Sequence, residues 1–110
     1  MPTSFNQAIE SGIGTNPVTI LECPPGFTIT VIGCNLTNTT DYDNAIVDIQ
    51  MTDEGSSFAY YIKGVVIPPN SSLKLITNGE KLILPIGGGI RVTSDTPNSI
   101  DAVISYVSLS

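Results

Sequence analysis

Phe27-Thr28-Ile29-Thr30-Val31-Ile32-Gly33-Cys34-Asn35-Leu36-Thr37-Asn38 is the longest patterned run in the chain, and its reading decides the fold. Apolar side chains first fall at Phe27, Ile29 and Val31, one residue in two. That period belongs to a β-strand with one buried face. The phase then changes to Ile32, Cys34 and Leu36. A phase change beside Gly33 predicts a β-bulge, where one extra residue resets which face looks inward. The run is bounded by turn formers on both sides: Cys23-Pro24-Pro25-Gly26 before it, and the segment from Asn38 to Asn44 (NTTDYDN) after it.

The same grammar extends outward in both directions. Before it lies a strand from Val18 to about Glu22. After it, Ala45 to Thr52 sets Val47, Ile49 and Met51 against Asp48 and Gln50, and Asp53 to Ser57 turns the chain. Phe58 to Val66 sets Phe58, Tyr60 and Ile62 against Ala59, Tyr61 and Lys63, until Pro68-Pro69-Asn70-Ser71 breaks it. Leu73 to Ile76, the turn Asn78-Gly79 and Lys81 to Leu84 follow, then Ile90 to Ser94. Asp95 to Asn98 leads into Ile100 to Leu109. These are eight short strands, spaced at roughly 8 to 12 residues with no helical period. Each has one apolar face to bury, so two layers share one core. The expectation is an all-β, antiparallel β-sandwich, an eight-stranded jelly roll in preference to an immunoglobulin-like topology. Its core should contain Ile29, Val31, Val47, Ile49, Leu82, Leu84, Val92, Ile104 and Tyr106, with Tyr60 also turned inward.

Residues 1–17 read differently. They hold neither period, and Gly12, Gly14 and the Asn16-Pro17 step oppose a helix. The expected organisation is an extended N-terminal arm over residues 1–17 and a single sandwich domain over residues 18–110. Phe5 and Ile9 would anchor the arm on a neighbouring protein. The plainer alternative lays the arm along its own sandwich as an extra edge strand.

Composition narrows the function classes. Of 110 residues only 13% are charged, about half the usual share of roughly 25%. The net charge is −6, and the four cations, Lys63, Lys74, Lys81 and Arg91, form no run. A phosphate backbone and an anionic membrane surface would both repel such a chain, so neither nucleic acid nor membrane is an expected partner. No stretch reaches the roughly 20 apolar residues of a membrane span. The first residues lack the basic and apolar regions of a secretion signal, so synthesis in a cytosol is expected. In that compartment Cys23 and Cys34 are expected to be buried thiols, and whether they pair is left open. The triplets beginning at Asn35, Asn38 and Asn70 match the glycosylation pattern, but Ser/Thr/Asn-rich strands produce it by chance.

Residues able to carry chemistry are few. There is no His and no Trp. Asp41 with Asp43, and Asp53 with Glu54, could offer oxygen ligands to calcium, but their spacing lacks a calcium-loop pattern and acidic loop residues are ordinarily just solvated. The serines have no His base, no nucleophile elbow and no Ser-x-x-Lys motif. Gly87-Gly88-Gly89 lacks the Lys-Ser/Thr of a phosphate loop and reads as a tight turn. Tyr42 and Tyr61 are expected to be half-exposed, where a tyrosine suits a protein interface better than a sugar site. No catalytic, cofactor-binding or metal-ligating residue is assigned. The candidate interface residues are Phe5, Ile9, Tyr42 and Tyr61. A neutral polar surface on a low-charge chain suggests a homo-oligomer, a trimer before a dimer.

Several motifs together carry a resemblance. They are the Pro24-Pro25-Gly26 turn running into Phe27 to Thr39, then Tyr60-Tyr61-Ile62-Lys63, then Val66-Ile67-Pro68-Pro69-Asn70-Ser71-Ser72-Leu73. Gly79 to Leu84, Ile90-Arg91-Val92-Thr93-Ser94 and Ile104-Ser105-Tyr106-Val107 complete the set. Over roughly residues 18–110 the chain resembles the small β-sandwich virion structural proteins of tailed bacteriophages, some of which decorate or cement the head. That family favours an acidic residue where this chain has Gly87-Gly88-Gly89, so the resemblance implies a reshaped loop there. The resemblance implies a non-enzymatic virion protein without cofactors. Its partners would be other virion proteins, above all the major capsid protein. A neck, tail or fibre component and a glycan-binding attachment module are the alternatives.

Overall fold

A computed structural model describes residues 3–53, 57–75 and 82–109. Nine strands run through them: β1 (Thr3–Ile13), β2 (Val18–Glu22), β3 (Thr28–Asn38), β4 (Ala45–Thr52), β5 (Phe58–Ile67), β6 (Ser72–Lys74), β7 (Leu82–Leu84), β8 (Gly89–Ser94) and β9 (Ile100–Leu109). All pairings are antiparallel. One sheet has the order β1-β9-β3-β6, with β7 also on β3; the other has the order β2-β8-β4-β5. We call them sheet A and sheet B.

This is a jelly roll. β6 and β7 lie end to end along β3, at Asn35 to Thr37 and at Ile29 to Val31 respectively. Together they fill one strand position, so nine segments occupy the eight places of the fold. The expected Ile76, the Asn78-Gly79 turn and Lys81 fall outside the described residues.

The first strand of the fold comes from the segment expected to be an arm. Residues 3–13 are not an irregular lead-in; they form β1, paired with β9 from Thr3↔Leu109 to Ile13↔Ile100. The domain therefore begins at β1 rather than at Val18, and the plainer alternative describes the geometry. The reason is backbone pairing rather than side-chain burial. Ile13 is buried, while Phe5 and Ile9 face solvent. The strand thus lacks the alternation that marks the others. Its glycines serve the crossing between sheets. Gly12 adopts φ 68°, a Cβ there would collide with Asn98 Oδ1, and its N–H donates to Asp101 Oδ1 at 3.0 Å. Ser99 N–H donates to Ile13 O at 3.0 Å and Ser94 N–H to Gly14 O at 2.9 Å, which locks the joint to the β8–β9 turn.

The core follows the alternation. Ile29, Val31, Val47, Ile49, Leu84, Val92 and Ile104 are buried between the sheets, and Leu82 and Tyr106 pack partly buried against them. Tyr60 departs from expectation: it is exposed, on the outer side of sheet B. The bulge beside Gly33 is present. Val31 faces Tyr106 and Gly33 faces Ser105, leaving Ile32 as the extra residue.

Candidate interface surfaces

Register determines what sheet A shows to solvent. β9 turns Ile100, Ala102 and Ile104 into the core, so Val103, Ser105 and Val107 face out. Directly opposite residues share a face. One outward row therefore crosses four strands as Phe5, Val107, Thr30 and Ile83. A second crosses as Ile9, Val103, Asn35 and Lys74. Between them lie Gln7, Ser105 and Gly33. Phe5 is 78% exposed, Ile9 69% and Ile83 58%. Ile32 and Leu109 add to the apolar area. A shallow hollow of about 230 Å³ opens where Gly33 has no side chain, walled by Asn35, Lys74, Val103 and Ser105. Among the described residues, the charges near these rows are Lys74 on β6 and Asp101 at the far end of β9.

Sheet B shows a different chemistry. Gln50 faces both Arg91 and Tyr60, and Arg91 Nε donates to Gln50 Oε1 at 2.6 Å. Phe58 and Tyr60 meet edge to face with centroids 5.9 Å apart. Lys63 Nζ lies 4.3 Å from the Tyr60 ring centre and the Arg91 guanidinium 5.3 Å from that of Phe58. β5 is an irregular edge. Its pairing jumps from Ile49↔Ile62 to Gln50↔Tyr60, which leaves Tyr61 as a bulge residue. Between the β4–β5 hairpin and β7, a hollow of about 350 Å³ is lined by Met51, Phe58, Ala59, Ile83, Leu84 and Pro85.

The four expected interface residues do not form one surface. Phe5 and Ile9 share the outer face of sheet A. Tyr42 stands at the tip of the β3–β4 loop, 92% exposed, and Tyr61 sits on the β5 edge. The alternation of Phe58 to Val66 suggested that Phe58 and Tyr60 look inward; in fact the inner side of β5 falls to Ala59 and Ile62, opposite Met51 and Ile49. No sequence signal marks Ile83 as outward, because its run Leu82-Ile83-Leu84 is apolar throughout.

The carboxylates act on the backbone. Asp48 Oδ1 accepts from Gly64 N–H at 2.8 Å, Asp53 Oδ1 from Ser57 N–H at 3.0 Å, and Asp95 Oδ1 from Ile46 N–H at 2.8 Å. Among the described residues no three His, Cys, Asp or Glu side chains group as metal ligands would. Gly87 and Gly88 turn the chain into β8, which starts at Gly89, and the turn is tied to the residue after β2: Gly87 N–H donates to Cys23 O at 3.0 Å and Cys23 N–H to Gly88 O at 2.8 Å. Cys23 and Cys34 are both free thiols and both buried. Burial pushes the Cys34 thiol up to about 12 and raises that of Cys23.

No family model and no curated protein matches this chain. Among solved structures it is similar to a protein of Bacillus endospore appendages, described as a novel family of disulfide-linked pili. The TM-score is 0.57 at 8% identity, covering 98% of this chain and 88% of that one. At that identity the likeness is one of fold: an all-β sandwich over nearly the whole chain. A hydroquinone 1,2-dioxygenase from Sphingomonas sp. TTNP3 with 4-hydroxybenzoate bound also aligns, at 14% identity over 94% of this chain and 59% of that one. Its TM-score of 0.22 carries no argument.

Proposed function

We propose that this chain is a non-enzymatic structural protein of a bacteriophage virion, a decoration or cement protein that bridges neighbouring shell subunits. The observation that carries the reading is the outer face of sheet A, where Phe5, Ile9, Ile32 and Ile83 stand in solvent on a rigid sheet. Apolar side chains spread over a flat sheet suit protein contact rather than a small ligand, which a concave site would enclose. The resemblance to virion proteins gives that contact its partner class: the major capsid protein, with further copies of the chain beside it.

Mechanically, cement needs no chemistry. A body that binds two shell subunits only when they are adjacent stabilises the assembled state by mass action. A rigid sandwich serves this well, since little conformational entropy is lost on docking.

Cryo-electron microscopy of the purified particle tests the proposal. Copies of the sandwich across the shell exterior, with sheet A against capsid protein, are the expected result. Density only in the neck, tail or fibres would replace cementing with a role there, and absence from the particle would end the virion reading.

A second reading has a specific observation behind it. The appendage protein with the same fold belongs to pili, so a filament subunit is the competing assembly. Those pili are described as disulfide-linked. Here both thiols lie inside the sandwich, and a filament of this chain would rest on non-covalent contacts. Negative-stain images of purified protein separate the two: long fibres favour the filament, discrete particles the decoration protein.

A further inference from the structure

We infer that the free edge of β1 pairs with the β1 edge of a second copy of this chain, joining two sheets A into one continuous antiparallel sheet about a twofold axis at Gln7. β1 bonds to β9 on one side and ends sheet A on the other. Its pairing with β9 runs unbroken from Thr3↔Leu109 to Glu10↔Ala102. The outward backbone groups over that stretch therefore stand in a regular row, a ready template for another strand.

Edge strands are ordinarily blunted by lysine, proline, bulges or shortness. The other edges of this molecule use those devices. β5 carries Lys63, places Gly64 at φ 71° and breaks register twice. β2 has five residues with a register shift after Thr19, and β6 and β7 have three residues each. β1 has eleven residues, no proline, no lysine or arginine, and Glu10 as its one charged side chain. Its first irregularity comes only after Glu10.

The sequence of β1 is also complementary to itself. Phe5 and Ile9 lie on the same outer face, four residues apart, with Gln7 midway. With Gln7 opposite Gln7 of the second copy, Phe5 of each copy falls opposite Ile9 of the other. Asn6 then faces Ala8 and Ser4 faces Glu10. Both exposed apolar side chains of the strand gain a cross-strand partner, an aromatic against a β-branched residue in each case. The two Glu10 carboxylates sit six residues apart along the strand, about 20 Å, beyond the Debye length of roughly 8 Å at physiological salt. For a chain of net charge −6, an edge of eleven residues with a single carboxylate lets two copies meet at low electrostatic cost. A twofold contact of this kind makes a dimer the unit of association, in place of the trimer that composition suggested.

The inference stands whichever assembly the chain serves, and purified full-length protein tests it alone. Light scattering across a micromolar concentration series should give a dimer for the wild type. Gln7→Lys and Gln7→Glu each place like charges opposite one another on the axis, and each should weaken the dimer by roughly fivefold. An equimolar mixture of the two variants should restore it, because lysine then meets glutamate. Unchanged circular dichroism in both variants excludes a folding defect, and the restored mixture excludes it independently. A wild type that stays monomeric at high micromolar concentration would overturn the inference. So would a dimer that neither variant weakens, or a mixture no tighter than its components. A particle lacking the protein would remove the virion role and leave this contact intact.

Discussion

Asn38 Nδ2 donates to the carbonyl of Ile67 at 2.8 Å, and both residues are fully buried. The bond ties the end of β3 in sheet A to the end of β5 in sheet B. The same nitrogen donates to Asp43 O at 2.8 Å, and Asn38 Oδ1 accepts from Thr40 N–H at 3.0 Å and Thr40 Oγ1 at 2.8 Å. One side chain thus closes the β3–β4 loop and clamps the layers. Asn38→Ala takes the side-chain donor from the buried Ile67 carbonyl and the acceptor from the half-buried Thr40 N–H, while Asp43 O keeps the Thr40 hydroxyl, and each unmet group costs about 1–3 kcal/mol. We expect a total loss of about 3 kcal/mol or more, read as a lower urea midpoint with an unchanged slope.

Ile49 and Ile104 are the deepest test of the strand phases. Each is buried between the sheets, Ile49 from β4 and Ile104 from β9. Truncation to Ala leaves a cavity that a two-layer core closes poorly. Each substitution should cost about 2–5 kcal/mol in chemical denaturation. A cost below about 1 kcal/mol, typical of surface positions, would contradict the packing.

Legibility in the sequence tracks burial. β3, β4 and β9 each bury one face, so Ile29, Val47 and Ile104 announce their strands and even the bulge at Ile32 shows as a phase change. β1 buries little besides Ile13 and is held by main-chain pairing, which leaves no mark on side-chain order. Gly12 and Gly14 look like breakers, and their use as a joint against Asn98 depends on a contact 84 residues or more away in sequence. The candidate interface is legible in part. Phe5 and Ile9 stand out as apolar residues without a core to join. The aromatic and cationic group of Phe58, Tyr60, Lys63 and Arg91 arises from two bulges and a cross-sheet register that no local pattern encodes.

The thiols make stability fall at alkaline pH. The Cys34 thiol is raised from 9.0 to about 12 by burial. Between those values the unfolded chain has lost a proton that the folded chain keeps, so unfolding releases protons and stability declines as pH rises. The contribution is whole below pH 9 and is lost progressively up to about pH 12. Urea midpoints should drop between pH 8.5 and pH 10.5, by less in Cys34→Ala than in the wild type. At neutral pH both thiols should react with a thiol reagent only as fast as the protein opens. Rapid labelling of native protein at Cys34 would contradict its placement.

Phe5 and Ile9 separate interface from fold. Removing residues 2–14 cannot do so, because it takes away a whole strand and the buried Ile13. The point substitutions Phe5→Ala and Ile9→Ala remove only side chains that face solvent in the isolated chain. Surface changes of that kind alter folding stability by about 0.5 kcal/mol or less. The melting curve of Phe5→Ala/Ile9→Ala at low protein concentration should therefore overlay the wild type, while its capture by assembled shells falls. Occupancy on purified particles, scored by gel densitometry against capsid protein, gives the second measurement. Full occupancy with both side chains truncated would move the shell contact off this part of sheet A, towards Phe58 and Tyr60 on the opposite face or the loop at Tyr42. A large loss of thermal stability would instead mean that Phe5 and Ile9 hold the fold together, contrary to their exposure.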